Sequence, residues 1–368
     1  MYRPTWVQID LSSLRHNISV IKTKLPEKTK LMAVVKADAY GHGMVEIARH
    51  AVSCGVDMLC VAIPEEGIAL RAAGVTVPVL VLGAVNESGM AASVEHGLIQ
   101  TVYDAAAVGW AENAAAYLGK TALLDLKIDT GMNRIGARSS DEIESVISAI
   151  KSAQNVTLHG AYTHYAVSEE DDEFTKVQFE KYLRLVQAVK TAFPNVMLHT
   201  SNSAGIFLHD YAHLGGVRCG IALYGSAPAH DMQTRLRPIL SWKTNIVQVK
   251  EIGEGESVSY GRTYFAKRPT LVATLPVGYG DGYKRILGNR AHVLVGGKAA
   301  PVIGRVCMDQ IMVDVTGIDV KAGDEAVLIG KQGDAEITPW DMALWADTIP
   351  YEITLSISAR VPKVYING

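Results

Sequence analysis

The sequence predicts an α/β fold, a (β/α)8 TIM barrel followed by a β-rich C-terminal domain. Three observations support this: eight short apolar runs recur before residue 236, helical patterns separate them, and β-type segments dominate afterwards. Strands alternating with helices form parallel sheets, and eight such repeats close into a barrel of about 250 residues. The 368 residues therefore allow a barrel over residues 1–236 and a second, β-rich domain over residues 237–368.

The eight runs are mostly continuous rather than alternating, which is typical of parallel strands buried on both faces. They are Leu31–Ala37, Met58–Ala62, Val77–Gly83, Ile99–Tyr103, Ala122–Ile128, Leu158–His164, Met197–Thr200 and Val217–Leu223. Between them, the periodicity predicts helices that include Glu65–Ala73, Ala105–Leu118, Asp141–Ser152 and Asp172–Ala192.

An additional amphipathic helix, Ser13–Lys24, is expected before the first run, with Ser12 or Ser13 as its N-cap. This helix would cover the barrel floor or flank the first strand.

After residue 236 the predicted β-type segments are separated by glycine-containing turns, which favours an antiparallel domain. The segments are Trp242–Ile252, Thr270–Val277, His292–Val295, Pro301–Val315 and Ala326–Ile329, with a helix over Thr338–Ala346. Because the junction near Pro238 is short, we expect the two domains to be packed together rather than tethered.

Composition excludes several classes of function. A formal charge of -3 without a basic stripe argues against nucleic acid and against a polybasic membrane patch. No apolar run reaches the roughly 18 residues of a membrane span, and the charged N-terminus lacks the core of a signal peptide, so we expect a cytoplasmic protein.

The cysteines show no CxxC spacing, and three of the four lie in apolar runs, so they predict buried hydrophobes and no metal site: Cys54, Cys60, Cys219 and Cys307.

The end of the first run carries the most informative residues. An apolar β-type run delivers Lys36 and then Tyr40 into a glycine-punctuated turn, where barrel enzymes carry their active sites. A lysine in a dry pocket can lose its proton and form a Schiff base with an aldehyde, and Tyr40 could reach the phosphate of the same cofactor. The alternative is a boundary lysine whose stem covers apolar surface.

Polar residues also follow the later runs, so they converge on the same rim. Arg218 is informative because a buried arginine keeps its charge and must find partners. Small residues such as Gly220 let backbone amides approach an anion. Taken alone, His164 could be a structural histidine and the Asn202-Ser203 pair a helix cap. The converging residues are Lys127, Arg134, His164, Asn202, Ser203, Arg218, Gly220 and Ile221.

As it stands, the segment around Lys36 resembles the pyridoxal-phosphate attachment motif of the alanine racemase family. Other segments resemble the same family in order and at compatible spacing across essentially the whole chain. They are Leu126–Gly136, Tyr162–His164, Ser201–Ser203, Arg218–Ile221, Val258–Tyr264, Arg305–Gln310, Pro350–Glu352 and Ile357–Pro362. The resemblance implies the barrel, the β-rich domain and a head-to-tail homodimer whose active sites are shared.

The resemblance also implies roles for residues. Lys36 would carry pyridoxal 5'-phosphate and act as the base on one face of the amino acid, and Tyr260, from the other subunit, would be the base on the opposite face. Arg218, steadied by His199, would face the pyridine nitrogen, and His164 would lie near the ring. The phosphate would be held by Tyr40, Ser203, Gly220, Ile221 and Tyr351, with Asn202 close by.

Two more positions concern the substrate. Arg134 and the main chain at Met308 would hold its carboxylate, and Lys127 matches a lysine that several family members carbamylate. Tyr351 favours an alanine-sized pocket over a serine-preferring one.

The resemblance implies interconversion of L- and D-alanine through an external aldimine and two bases, with D-alanine serving peptidoglycan. One alternative is a serine or broad-specificity racemase on the same scaffold. A same-fold decarboxylase is disfavoured because its Gly-rich phosphate loop and cysteine-containing acidic motif are missing. A non-catalytic pyridoxal-phosphate carrier would need neither a second domain nor a counterpart to Tyr260.

Overall fold

The computed structural model describes residues 3–229 and 235–368. It begins with strand β1, Thr5–Asp10, and helix α1, Leu11–Lys22. The predicted cap at Ser12 or Ser13 is wrong, because the Asp10 carboxylate accepts hydrogen bonds from the N–H groups of both serines at 2.9 and 3.3 Å. Aspartate caps helices as well as serine does, so α1 begins earlier than predicted.

Eight parallel strands form a closed barrel, which confirms the predicted fold class. They are β2 Lys30–Val34, β3 Met58–Val61, β4 Val79–Val81, β5 Ile99–Val102, β6 Ala122–Lys127, β7 Val156–Tyr162, β8 Met197–His199 and β9 Gly216–Cys219. The first and sixth predicted runs extend too far, because Lys36 and His164 lie beyond the last paired residues of β2 and β7. All eight carboxyl ends lie at one rim, where barrel enzymes bind their substrates.

Helices follow most strands, as the sequence predicts. They are α2 Lys36–Gly41, α3 Met44–Ser53, α4 Pro64–Ala72, α5 Glu87–Glu95, α6 Ala105–Leu118, α7 Ser140–Ser152, α8 Asp172–Ala192 and α9 Ser203–Leu208. Local signals fix several ends: a capping box between Ser139 and Glu142 starts α7, and Gly119, at φ 63°, ends α6. Helix α1 packs against α3 and the short 3-10 turn after β9, so it flanks the first barrel strand rather than the floor.

The second part of the chain is β-rich. Its strands are β10 Leu240–Asn245, β11 Gln248–Ile252, β12 Ser257–Val258, β13 Tyr264–Phe265, β14 Thr270–Leu275, β15 His292–Val295, β16 Lys298–Pro301, β17 Ile311–Asp314, β18 Glu325–Gln332, β19 Ala335–Ile337 and β20 Lys363–Ile366. Two helices are α10 Pro339–Ala346 and α11 Pro350–Leu355. The predicted β-type segment Pro301–Val315 is interrupted, since residues 303–310 leave the sheet, and Cys307 lies half-buried in that loop.

The largest sheet has the strand order β16-β15-β18-β10-β1-β20, with β19 paired to β18. Its ladders are antiparallel except for β1 with β20, which run parallel. The sheet thus takes one strand from the N-terminus of the chain and the rest from residues after 239. The division at residues 236 and 237 stays a prediction.

One continuous apolar core joins the two parts, which confirms that they are packed together. It runs from Leu31 and Val217 of the barrel to Trp242 and Val293 of the second sheet. Inside the barrel, a separate cluster that includes Met32, Cys60, Leu80 and Ile99 fills the interior below the rim. In the described part of the chain, no helix has both the length and the apolarity that crossing a bilayer requires.

Candidate active site

A cavity of about 510 Å³ opens at the carboxyl ends of the barrel strands. The structure brings eleven of the predicted site residues together around it: Lys36, Tyr40, Lys127, Arg134, His164, Asn202, Ser203, Arg218, Gly220, Ile221 and Tyr351. His199 lies behind Arg218, as expected. Tyr260 and Met308 do not line this cavity.

Lys36 enters the cavity from an unusual backbone turn. The four residues after it, Ala37 to Tyr40, have φ angles of 52° to 55° and form a left-handed helical turn. Each such non-glycine residue costs roughly 1–2 kcal/mol, so the turn needs outside support. The Glu66 carboxylate accepts from the Ala37 N–H at 2.6 Å, and the Asp38 carboxylate accepts from the N–H of Met44 at 2.8 Å. This strained turn aims both Lys36 and Tyr40 into the cavity.

The electrostatics around Lys36 favour a neutral amine. Burial and then the nearby Arg134 guanidinium lower the pKa of Lys36, while Glu66 partly opposes the shift. Desolvation disfavours the charged form of an amine, and a cation nearby does the same. A larger fraction of Lys36 is therefore able to act as a nucleophile or base near neutral pH.

A small-residue cradle lies at one end of the cavity. The Ser203 hydroxyl accepts hydrogen bonds from the N–H groups of Gly220 and Ala222 at 3.0 and 3.4 Å. A Cβ at Gly220 would lie 2.7 Å from the Tyr40 hydroxyl, so glycine is required for this close approach. The rings of Tyr40 and Tyr351 lie 5.6 Å apart. Hydroxyls and small residues at this end suit an anionic group.

The Asn202-Ser203 pair also does what a helix cap does. Asn202 Oδ1 accepts from the N–H of Gly205 at 2.9 Å and from the Ser168 hydroxyl at 3.0 Å. The pair thus caps α9 while lining the cavity, and the structural and site interpretations both hold.

Arg218 is 3% exposed and finds partners on three sides. Its guanidinium donates to the carbonyls of Thr163 and Thr200 at 2.6 and 2.9 Å, and to the His199 carbonyl at 3.1 Å. It also donates to Nδ1 of His199 at 2.7 Å and lies 3.4 Å from Nδ1 of His164. Burial and then Arg218 hold the pKa of His164 well below its usual value. His164 is therefore neutral beside a permanent cation.

His199 has a fixed tautomer. Because Nδ1 accepts from Arg218, the proton is on Nε2, which donates to the Asp125 carboxylate at 2.9 Å. Tyr162 stacks on the His199 ring at 4.8 Å and lies 4.9 Å beneath the Arg218 guanidinium. The sequence analysis missed Asp125 and Tyr162. An aspartate inside the apolar strand β6 was the available signal for Asp125, because a buried charge needs partners.

Lys127 is 3% exposed, and its Nζ donates to the Ile128 carbonyl at 3.1 Å. Burial and then Arg218 lower the pKa of Lys127 to about 7. The amine is thus partly neutral at physiological pH, which excludes a simple surface-loop lysine.

Tyr260 and Met308 lie on the exterior of the second domain, 69% and 52% exposed. Tyr260 follows β12 in a short 3-10 turn, and the preceding Ser259 donates to the Arg305 carbonyl at 2.6 Å. Because Ser259 contacts both Arg305 and Cys307, Tyr260 and Met308 share one exposed surface, and neither lines the cavity of its own chain.

The fold and site together define a barrel enzyme with a reactive lysine and a buried arginine in one basic pocket. Models of the alanine racemase N-terminal and C-terminal domains match residues 9–228 and 239–365. The chain therefore belongs to the alanine racemase family, and it is an enzyme of the racemase class of isomerases.

Individual relatives agree over the whole length. The alanine racemase of Halothermothrix orenii is 45% identical over 99% of this chain and 97% of its own length. Alanine racemase 2 of Caldanaerobacter subterraneus subsp. tengcongensis is 43% identical over 99% of this chain and 95% of its own length. The structure of the Clostridium difficile 630 alanine racemase superposes with a TM-score of 0.94 at 37% identity, covering 100% of this chain and 96% of that one.

Proposed function

We propose that this protein interconverts L- and D-alanine with pyridoxal 5'-phosphate held in the barrel cavity, using two bases on opposite faces of the α-carbon. The observation that carries the proposal is the convergence of a lysine of lowered pKa, a buried arginine and an anion cradle on one cavity. Full-length similarity to alanine racemases supports alanine as the substrate.

The residues present fit the cofactor. The cradle formed by Ser203 and Gly220, where a Cβ would meet Tyr40, suits the phosphate. In the same cavity, Arg218 keeps its charge and can donate to an uncharged ring nitrogen. When bound, pyridoxal phosphate supplies an electron-withdrawing ring that stabilises negative charge at the substrate α-carbon.

The chain's own residues would do the proton transfer. Lys36 removes or returns the α-proton on one face, because its lowered pKa keeps part of the amine neutral. Arg134, at the rim of the same cavity, would bind the carboxylate of alanine and orient the α-carbon. Tyr351 also lines this cavity and would limit the side chain to the size of a methyl group.

The second base would come from another copy of the chain. Tyr260 of the partner subunit would reach the opposite face, and the main chain of Met308 would accompany it, since both lie on one exposed surface. A head-to-tail homodimer completes two equal sites by placing this surface over the barrel mouth of its partner.

Carbamylation of Lys127 is part of the proposal. The neutral amine would attack carbon dioxide, forming an N–C bond and releasing a proton to solvent, which leaves a carbamate anion. Arg134 and Arg218 act on the Lys127 amine as neighbouring cations. The new anion would compensate their charge and hold Arg134 for the substrate.

The direct test is incubation of L-alanine with the purified protein and pyridoxal phosphate in deuterated water. We expect D-alanine that carries deuterium at the α-carbon. Parallel initial rates with L-serine and bulkier amino acids address the broad-specificity alternative. Deuterium exchange without inversion would contradict the assignment of Tyr260 as the second base. No exchange with any amino acid would favour a non-catalytic pyridoxal-phosphate carrier.

The shared site has its own test. We expect Lys36→Ala to lose α-proton removal from both enantiomers of alanine, and Tyr260→Phe to lose it from one enantiomer. The control Tyr117→Phe, at an exposed helical position, should leave proton removal from both enantiomers intact. Neither Lys36→Ala nor Tyr260→Phe should complete racemisation alone, because racemisation needs both bases. Mixed in equal amounts, these two variants should recover about a quarter of wild-type racemase activity, because half the dimers then carry one intact site. No recovery would contradict a site built from two subunits.

D-alanine made in the cytoplasm would supply peptidoglycan. This physiological role rests on membership of the family alone.

A further inference from the structure

The Arg218 network continues beyond His199 to a histidine that the proposed mechanism does not use. The Asp125 carboxylate is fully buried, and its second oxygen accepts from Nδ1 of His159 at 2.8 Å. Asp125 therefore joins two imidazoles, one leading to Arg218 and one leading outward, since the His159 side chain is 26% exposed.

The backbone is built to make this contact. In the ladder between β6 and β7, Leu124 pairs with Leu158 but Asp125 pairs with Gly160, so His159 is the extra residue of a β-bulge. Bulges are rare between parallel strands and re-aim side chains near functional sites. Gly160 leaves the space for the carboxylate, because a Cβ there would lie 2.7 Å from Asp125.

We infer that His159 is a positioning residue for Arg218, acting through Asp125 and His199. The inference rests on the proposed racemisation. Three of the acceptors around Arg218 are backbone carbonyls, whose acceptor strength is fixed by the fold. Nδ1 of His164 lies at 3.4 Å, and the closer ring nitrogen, Nδ1 of His199 at 2.7 Å, can accept only while the His199 ring stays neutral.

His159 helps to keep that ring neutral. The charged and titratable groups around His199 are Arg218, Asp125, the stacked Tyr162, Tyr182 at the His199 backbone and, across Asp125, His159. Burial is the largest cause that lowers the pKa of His199 to about 4, and His159 adds to this effect. Without the His159 donor, Asp125 has one bond fewer, and the pKa of the His199 ring should rise. In the protonated ring, Nδ1 would carry a hydrogen that faces the Arg218 guanidinium. Arg218 would then lose this hydrogen-bond acceptor.

A donor-deleting and a donor-keeping variant separate this role from packing. His159→Leu removes the N–H, whereas the amide of His159→Asn places a donor where Nδ1 is now. We expect kcat of the Leu variant to fall about tenfold, as when a hydrogen-bond partner behind a ligand is removed. KM for alanine should stay within about twofold, because the loss is confined to the reacting centre. The Asn variant should restore kcat to within about twofold of wild type.

A second readout does not depend on activity. Ring-nitrogen NMR of histidine-labelled protein without cofactor should show His199 neutral with its proton on Nε2 in wild type and His159→Asn, and doubly protonated at higher pH in His159→Leu. His159→Ala serves as the second donor-less variant if the Leu protein does not fold. His96→Leu is the matched control, since it deletes one imidazole hydrogen bond, to the Ala92 carbonyl at 3.0 Å, outside the network.

Wild-type kcat and unchanged His199 signals in His159→Leu would overturn the inference. Equal losses in the Leu and Asn variants, with a matching fall in melting temperature, would also overturn it, because packing would then explain them. A wild-type protein that does not racemise any amino acid would instead refute the proposed function. The NMR result would still show whether His159 controls the protonation of His199.

Discussion

The buried amine of Lys127 makes the folding stability of this protein depend on pH in a way that Lys127→Met should abolish. Burial and neighbouring arginines lower the pKa of this amine from 10.5 to about 7 in the folded chain. The unfolded chain therefore binds the proton more tightly between these two values. Stability rises with pH wherever the unfolded state holds more protons, so this group destabilises the fold least at alkaline pH.

The size of the effect follows from the two pKa values. At pH 7 the unfavourable contribution is on the order of 4 kcal/mol, and about half of it is gone by pH 9. Methionine has a similar length and no charge. The free energy of unfolding of wild type should therefore gain about 2 kcal/mol over that of Lys127→Met between pH 7 and pH 9.

Equilibrium urea denaturation at both pH values, at one protein concentration, measures this difference. The buffer must be free of carbon dioxide, because a carbamate does not bind the proton in question. Adding bicarbonate should flatten the wild-type dependence and leave the variant unchanged. Lys151→Met, at an exposed helical position, is the matched control and should run parallel to wild type. Parallel curves for wild type and Lys127→Met would refute the desolvation of this amine.

Two further substitutions test packing at and beyond the site. Gly220→Ala should weaken pyridoxal phosphate binding, measured by titration, and cost roughly 1–3 kcal/mol of stability, because its Cβ would lie 2.7 Å from the Tyr40 hydroxyl. Adding Tyr40→Phe should recover part of the stability, and no recovery would contradict the clash. Asp281→Ala should lower stability by roughly 2 kcal/mol, a discounted value since Arg3 and Arg360 are partly exposed; a melting temperature equal to that of wild type would exclude this role.

The barrel could be predicted because its signals are local. Continuous apolar runs and the helical periodicity between them identify each strand and helix without knowledge of distant partners. Strand β1 shows why other parts could not be predicted. Its partners β10 and β20 are more than 200 residues away in sequence, and its pairing depends on a sheet that local periodicity does not specify.

The left-handed turn after Lys36 escaped prediction for a related reason. Four consecutive non-glycine residues with positive φ go against their local preference. The groups that hold them there include Glu66, and Lys363, which pairs with Asp38 at 3.0 Å. Only the tertiary structure brings these side chains to the turn, so a window around Lys36, which contains the Asp38–Met44 hydrogen bond, holds only part of the cause of this conformation.

Arg218 and Tyr260 show which site residues can and cannot be recognised from a single subunit. Arg218 is conspicuous because a charge inside an apolar strand must be paired, and the structure supplies the partners. Tyr260 carries no such sign, since it is 69% exposed and lies on a surface outside the cavity. In the proposed homodimer, a second copy of the chain would cover Tyr260 and place it against the substrate. The reactivity proposed for Tyr260 thus depends on the proposed dimer, and the subunit-mixing experiment is the measurement that can detect it.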